Sequence, residues 1–159
     1  MRVLGIDPGP QKSAYVELVC DAIGMLITKI GETQNDYLLD IVRGYAMANA
    51  TGTIAIEKPY VGRTSGKEVG DTVFFCGRLY QVAVVPAGES RVKLVPRQTI
   101  LAALGATRIY NDAGDRMTND AALRQRLIEL YGDRLTIPKS SHERAALAVA
   151  LAVMGGAKR

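Results

Sequence analysis

Two carboxylates follow apolar segments that contain no other charge, and this arrangement could support chemistry. Asp7 ends the segment "VLGID", and Glu57 ends the segment "TIAIE". If the two segments are neighbouring strands, the acids meet in a small space where like charges repel strongly, and a cation commonly holds such a pair together. Oxygen ligands favour Mg²⁺ or Mn²⁺ over zinc or copper. Acids at strand ends are also common as turn formers or helix caps, so both interpretations stay open.

The stretch "KSSHERAALAVALAV", residues 139–153, predicts a buried last helix with a polar first turn. On a helix His142 and Ala145 share a face, whereas Glu143 points well away from Ala145. Ser140 and Glu143 have the spacing of a capping box, in which the Ser is the N-cap and the Glu reaches back to its backbone N–H. Glu143 is therefore either a helix cap or a displaced metal ligand. His142 is either a solvated polar residue or a metal ligand.

The elements that must position these residues follow from the periodicity of the chain. We expect the order β-β-β-α-β-α-β-α-α-α. This order predicts an α/β fold with a mixed five-stranded sheet, in which a three-strand antiparallel meander and two parallel strands are flanked by helices. The ends of the first and fourth strands, which carry Asp7 and Glu57, can then lie side by side at one edge. Nothing in the sequence resembles a linker, so we expect residues 1–159 to form a single domain.

Composition narrows the class of protein. With 48% hydrophobic residues, a chain of 159 residues can build one core without disulfides or metal ions. The net charge of +4 permits an anionic partner such as nucleic acid without demanding one. Cys20 and Cys76 lack metal-ligand spacing, and we expect both to be buried free thiols in a reducing compartment. No signal peptide or membrane-length apolar run is present, so we expect a cytoplasmic protein with no membrane partner.

Four motifs together resemble the RuvC family of Holliday-junction resolvases, within the RNase H-like superfamily. They are "GIDPG" after the first strand, "AIEKPY" after the fourth, "VKLVPRQ" in the fifth, and an Ala/Leu-rich last helix that opens with His. Glu57, followed by Lys58 and Pro59, is the most discriminating of these features. The resemblance covers essentially the whole chain. It implies an RNase H-like fold and a DNA endonuclease that resolves four-way junctions, and the small size is compatible with a phage-encoded version.

The resemblance also implies a metal-dependent reaction with two Mg²⁺ ions per active site, for which Mn²⁺ can substitute. By position, Asp7 would bridge the two ions and Glu57 would help to hold one of them. His142, at the start of the last helix, would be a ligand of the other. The implied reaction is in-line attack of water on a phosphodiester. In the family, the last helix carries an Asp or His, two intervening residues and then an Asp, but here Ala145 stands in the second place.

Ala145 has two explanations, which stay open. One is an engineered change of Asp to Ala, so that junction DNA is bound without being cut. The other is a natural protein that lacks this acid and cuts poorly or not at all. We favour the engineered change because Asp7, Glu57 and His142 are intact. In either case we expect a junction-resolving nuclease that is inactivated at position 145. The alternatives are a non-catalytic protein that binds branched DNA, or a nuclease with broader specificity for forks, flaps or RNA-containing duplexes.

Aromatic and basic residues flank the acids in the sequence. The resemblance implies that Tyr60 stacks on bases near the junction centre, and the alternative is a loop anchor with a hydrogen-bonded hydroxyl. Phosphate contacts could come from basic residues, each of which has the alternative of being a solvated surface charge. The candidates are Lys58, Arg63, Lys67, Arg108, Arg116, Lys139 and Arg144.

The segment "GDTVFFCGRLYQVAVV", residues 70–85, predicts a helix with apolar side chains on more than one side. The resemblance implies that this helix forms a homodimer interface. A dimer suits the chemistry, because resolving a junction needs two symmetric cuts. Burial of the whole helix inside one core is the alternative.

Overall fold

A computed structural model describes residues 1–62, 66–111 and 113–155. Within these ranges five strands form one sheet in the order β3-β2-β1-β4-β5. The strands are β1 (Arg2–Asp7), β2 (Lys12–Cys20), β3 (Met25–Gln34), β4 (Thr53–Lys58) and β5 (Val92–Pro96). β1 pairs antiparallel with β2, and β2 with β3, whereas β4 pairs parallel with both β1 and β5. The predicted meander and the predicted parallel strands are both confirmed.

Five α-helices accompany the sheet in the described ranges, in the predicted order. They are α1 (Asn35–Ala48), α2 (Lys67–Ala87), α3 (Arg97–Ala103), α4 (Asn119–Tyr131) and α5 (Ser141–Val153). Side-chain oxygens satisfy free backbone N–H groups at two of the N-termini. Thr118 caps α4 by accepting from the N–H of Ala121, and Ser140 caps α5 by accepting from the N–H of Glu143. Ser140 is therefore the N-cap that its spacing predicts.

Side chains of the central strands alternate between two apolar layers, because successive residues of a strand point to opposite faces. Leu4 and Ile6 of β1 pack in the layer formed with α1 and α2. Val3 of β1 and Ala55 of β4 pack in the layer formed with α3, α4 and α5. Asp7 has the same parity as Val3, so its side chain lies on the side of the sheet that α5 covers.

Small residues bring α5 close to the centre of the sheet. A Cβ at Gly5 would clash with the backbone oxygen of Ala146 and lie 2.9 Å from the Cβ of Ala150. Glycine at this position of β1 therefore allows the helix backbone to approach the strand directly. This close packing fixes where the first turn of α5 lies relative to the end of β1.

Helix α2 is only partly buried. Phe75 and Leu79 belong to the core, whereas the side chain of Phe74 is 71% exposed. The interpretation that the whole helix lies inside one core is therefore wrong for the Phe74 side. Cys76 is buried, as predicted, but Cys20 at the end of β2 is partly exposed, so the expectation of burial is wrong there. Within the described ranges no helix is long and apolar enough to cross a membrane.

Candidate active site

The two acids stand at the ends of neighbouring parallel strands. Ile6 of β1 pairs with Ile56 of β4, so Asp7 and Glu57 are the next residues on adjacent strands. Both side chains are largely buried, with 16% of Asp7 and 13% of Glu57 exposed. The sheet therefore brings the two carboxylates side by side, as the sequence predicts. Their role as metal ligands stays a prediction.

His142 contacts Asp7 across the gap between α5 and β1. Its Nδ1 lies 2.9 Å from Oδ2 of Asp7, and its side chain is 66% exposed. The hydrogen bond to Asp7 raises the pKa of His142, because the carboxylate favours the charged imidazolium. Burial nevertheless raises the pKa of Asp7, since the loss of hydration outweighs the hydrogen bond and the positive charge that His142 provides. Asp7 is thus a poorly hydrated carboxyl group with one partner on the helix above it.

Arg97 pairs with Glu57, and sequence reasoning missed this residue. Its Nη1 lies 3.1 Å from Oε2 and 3.4 Å from Oε1 of Glu57. The signal that could have found it is positional, because Arg97 follows β5 directly and β5 lies parallel to β4. Burial raises the pKa of Glu57 to about 7, and the neighbouring Asp7 carboxylate adds to the increase. The positive charge of Arg97 lowers this pKa without cancelling the cost of burial.

The chemistry of the two acids fits a hard divalent cation. Burial and mutual repulsion destabilise the charged forms of both carboxyl groups. A cation bound between them would offset the repulsion. A cavity of about 210 Å³ opens beside them. Its lining includes Asp7, Glu57, Pro8, Pro59 and Tyr60. In the described part of the chain, however, no group of three or more His, Cys, Asp or Glu side chains is arranged to hold a metal ion. The acids supply two ligands, and water can complete the coordination of Mg²⁺ at a site with one or two carboxylates.

Position 145 lies on the buried side of α5. Ala145 is 4% exposed, one helical turn after His142. Glu143 is half-buried on a different side of the helix, and its backbone N–H donates to Oγ of Ser140 over 3.5 Å. The hydroxyl group of Ser140 in turn donates to Glu32 on β3. Glu32 is a second residue of this region that sequence reasoning missed.

Most of the candidate DNA contacts that the structure describes are exposed. Tyr60 lines the cavity beside the two acids and is 84% exposed. Lys67, at the start of α2, is paired with Asp71, with 2.7 Å between Nζ and Oδ2. The other exposed candidates are Lys58, Arg108, Arg116 and Lys139. Arg63 lies outside the described residues.

Arg144 requires a correction, because it is a buried residue rather than a surface charge. It is 7% exposed. Its guanidinium donates to the backbone oxygens of Pro138 and Lys139, and Nη2 lies 3.2 Å from Oδ2 of Asp120. These contacts join α4 to the start of α5, so the guanidinium is not placed to meet a phosphate. The sequence could not reveal this, because Arg144 sits in a polar first turn that resembles a solvated surface.

Two solved structures resemble nearly the whole chain. Thermus thermophilus RuvC in complex with a Holliday junction substrate matches with a TM-score of 0.62 and 15% sequence identity, over 96% of this chain and 92% of that chain. The Thermus thermophilus RuvC structure matches with a TM-score of 0.63 and 17% identity over the same shares of the two chains. No protein-family model and no curated protein matches the sequence. The chain therefore has the RuvC-like, RNase H-like fold that its motifs predict.

Proposed function

We propose that this chain binds four-way DNA junctions with a nuclease-type active site, and that Ala145 prevents it from cutting them efficiently. The observation that carries the proposal is the convergence of Asp7, Glu57 and His142 beside an exposed aromatic residue. The fold adds support, because it is shared with a protein whose solved structure contains a Holliday junction substrate. The protein would act in the cytoplasm of a bacterial or phage-infected cell, where the DNA is accessible.

Divalent cations would be held by Asp7 and Glu57, with His142 as a further ligand on the helix side. Mg²⁺ is the expected ion, with two ions per site, and Mn²⁺ can substitute. When bound, such ions neutralise charge on the phosphodiester and lower the pKa of an attacking water. The acids support this proposal, because burial raises the pKa of both carboxyl groups and a bound cation would stabilise their charged forms.

The chain's own residues would bind and orient the DNA. Tyr60 is exposed at the rim of the cavity, where a ring can stack on an unpaired base, and such stacking stabilises binding by ~1–3 kcal/mol per base. Lys58 and Lys139 are exposed at the ends of segments that lead into the site, where they can neutralise phosphates. Arg97 adds a fixed positive charge beside Glu57.

A homodimer is part of the proposal. Phe74 and Val85 of α2 are 71% and 82% exposed, and apolar side chains of this size at a surface favour contact with another chain. Two copies related by a twofold axis would place two equivalent sites on a four-way junction, which has matching symmetry.

A second candidate is a protein that binds branched DNA and has no catalytic activity. Ala145 favours it, since an Ala at this position removes the last acid that the RuvC resemblance implies. The broader nuclease, which would cut forks, flaps or RNA-containing duplexes, shares the same site. The three candidates differ in substrate preference and in their response to an acid at position 145.

The test compares binding and cleavage with labelled substrates of equal length. A four-way junction, a replication fork, a linear duplex and an RNA–DNA hybrid are incubated with the chain in EDTA and then with Mg²⁺. We expect the junction to bind at least tenfold more tightly than the duplex, with little cleavage. We expect Ala145→Asp to produce symmetric, Mg²⁺-dependent cuts. Equal affinity for junction and duplex would overturn the proposal, and binding without any gain of cleavage would favour the non-catalytic candidate.

A further inference from the structure

Three acidic residues stand in one row across the sheet. Asp7 of β1 pairs with Ala14 of β2, and Ala14 pairs with Glu32 of β3. Residues that pair directly across neighbouring strands have side chains on the same face. Glu57 follows on the other side of Asp7, because β4 is the next strand of the sheet. Glu32 thus lies on the face that α5 covers, about two strand spacings, or ~10 Å, from Asp7.

The first turn of α5 lies across this row. Ser140 donates its hydroxyl hydrogen to Oε1 of Glu32, and two residues later His142 contacts Asp7. Between the two acids the sheet presents Ala14, whose side chain is a single methyl group. The row therefore contains no side chain that would separate Glu32 from the Asp7–His142 pair.

Glu32 also acts electrostatically on both members of that pair. Its negative charge contributes to the raised pKa of Asp7 and to the raised pKa of His142. Glu32 is exposed, so its carboxylate has space to turn from Ser140 toward the site.

We propose that Glu32 is a third carboxylate that helps to hold the divalent cation from β3, while the place on α5 that the RuvC resemblance implies for cleavage stays without an acid at Ala145. This inference rests on the proposed function, because it concerns the same divalent cation. Asp7 lies between Glu57 on one side and Glu32 on the other, so a cation held by Asp7 on the His142 side has Glu32 as the further acid of the same row. Glu143 is the competing candidate, and it projects from a different side of α5.

The experiment measures Mn²⁺ binding to the full chain without DNA, by isothermal titration calorimetry. The variant is Glu32→Gln, in which the amide oxygen can still accept from Ser140, so the contact that places α5 is kept. Glu143→Gln is the matched control, because it also removes one negative charge, from the first turn of α5 that lies across the row. We expect Glu32→Gln to weaken Mn²⁺ binding at least tenfold and Glu143→Gln to change it less than twofold.

A rescue separates a ligand role from a structural one. In the Glu32→Gln background, Ala145→Asp restores an acid from the helix side, and we expect Mn²⁺ affinity to return to within threefold of the starting chain. A purely structural role of Glu32 would not be repaired by an acid on another element. The inference is overturned if Glu32→Gln leaves the Mn²⁺ affinity unchanged, or if Glu143→Gln lowers the Mn²⁺ affinity more than Glu32→Gln does.

The failure of this inference is distinguishable from failure of the proposed function. If Asp7→Asn abolishes Mn²⁺ binding while Glu32→Gln does not change it, the active site stands and Glu32 is not part of it. If the unmodified chain binds Mn²⁺ no better than Asp7→Asn does, the role of Glu32 is overturned. Junction binding, measured separately in EDTA, then decides whether the proposed function survives.

Discussion

Nδ1 of His142 lies 2.9 Å from Oδ2 of Asp7, and this contact joins two residues that are 135 positions apart in the chain. It connects the first turn of α5 to the end of β1, next to the strand that carries Glu57. The helix can reach this point because Gly5 lets its backbone pack directly on the strand. The site therefore depends on close packing at the centre of the sheet as much as on its polar residues.

Replacing Asp7 by Asn tests the charge of this carboxyl group while its size is kept. We expect the Mg²⁺-induced increase in melting temperature to disappear, because the neutral amide lacks the charge with which a carboxylate binds Mg²⁺. We also expect greater stability at pH 8 without metal, since a buried charge with a raised pKa is removed. Differential scanning fluorimetry with and without Mg²⁺ measures both effects. Junction affinity in EDTA is the control, and its loss would indicate that Asp7 supports the fold or the DNA interface instead.

The raised pKa of Glu57 predicts that the stability of the protein depends on pH. This pKa rises from 4.5 in the unfolded chain to about 7 in the folded protein, so folding takes up a proton between these values. This contribution to stability is fully present below about pH 4.5 and is lost as the pH rises through 7, and it amounts to roughly 3 kcal/mol. Urea unfolding at pH 5 and pH 8 measures it.

Glu57→Gln isolates that contribution, because the amide does not titrate. In the unmodified chain the unfolding free energy should fall from pH 5 to pH 8. We expect this fall to be smaller in Glu57→Gln by about the same amount. The raised pKa values of Asp7 and His142 act in the same direction, so part of the pH dependence persists. Parallel pH profiles of unfolding free energy for the two proteins would show that folding does not raise the pKa of Glu57.

The sequence was sufficient to predict the sheet, the order of the helices and the meeting of Asp7 with Glu57. Apolar segments of period two and helical segments with clear caps carry that information locally. The cap at Ser140 was predictable for the same reason. These features depend on neighbours in the chain, and the order of the elements then allowed the ends of the first and fourth strands to be placed side by side.

Arg97, Glu32 and Arg144 were not assigned correctly, and all three depend on contacts between distant elements. Arg97 reaches Glu57 from the strand next to β4, and Glu32 reaches Ser140 from a strand two positions away from β1. Arg144 turns toward α4 instead of solvent. A side chain in a polar turn has the same sequence signature whether it faces water or a neighbouring helix, so only the packed structure distinguishes the two.

Arg144→Met tests whether this residue stabilises the fold or binds DNA. Removing the guanidinium takes away the donor of the carbonyl oxygens of Pro138 and Lys139 and the partner of the half-exposed Asp120 carboxylate. We expect a loss of about 2–4 kcal/mol in unfolding free energy and unchanged junction affinity at temperatures where the variant is folded. Lys139→Gln is the matched comparison, with little effect on stability and weaker junction binding. A drop in junction affinity for Arg144→Met at unchanged stability would restore it as a phosphate contact.

Gly5→Ala tests the close approach of α5 to β1. The added methyl group would meet the backbone of Ala146 and the side chain of Ala150, and backbone atoms cannot move aside without shifting the helix. We expect a loss of about 3 kcal/mol in unfolding free energy. Gly44→Ala in α1 is the control, because nothing lies within 4 Å of its added carbon and Ala favours a helix by up to about 1 kcal/mol. Equal stability of the two variants would show that the α5–β1 contact is more adaptable than its geometry indicates.

Ala145→Asp tests the electrostatics of the completed site independently of catalysis. The new carboxylate would replace a side chain that is 4% exposed and lies one turn after His142, which contacts Asp7. Without metal we expect a melting temperature several degrees lower than that of the unmodified chain, because a third charge is buried nearby. With Mg²⁺ we expect most of this loss to be recovered, since the cation offsets the added charge. Ala148→Asp, one turn further along the buried part of α5, is the control: it also buries a carboxylate, but Mg²⁺ should not rescue it. Equal Mg²⁺ responses in the two variants would mean that position 145 does not face a cation site.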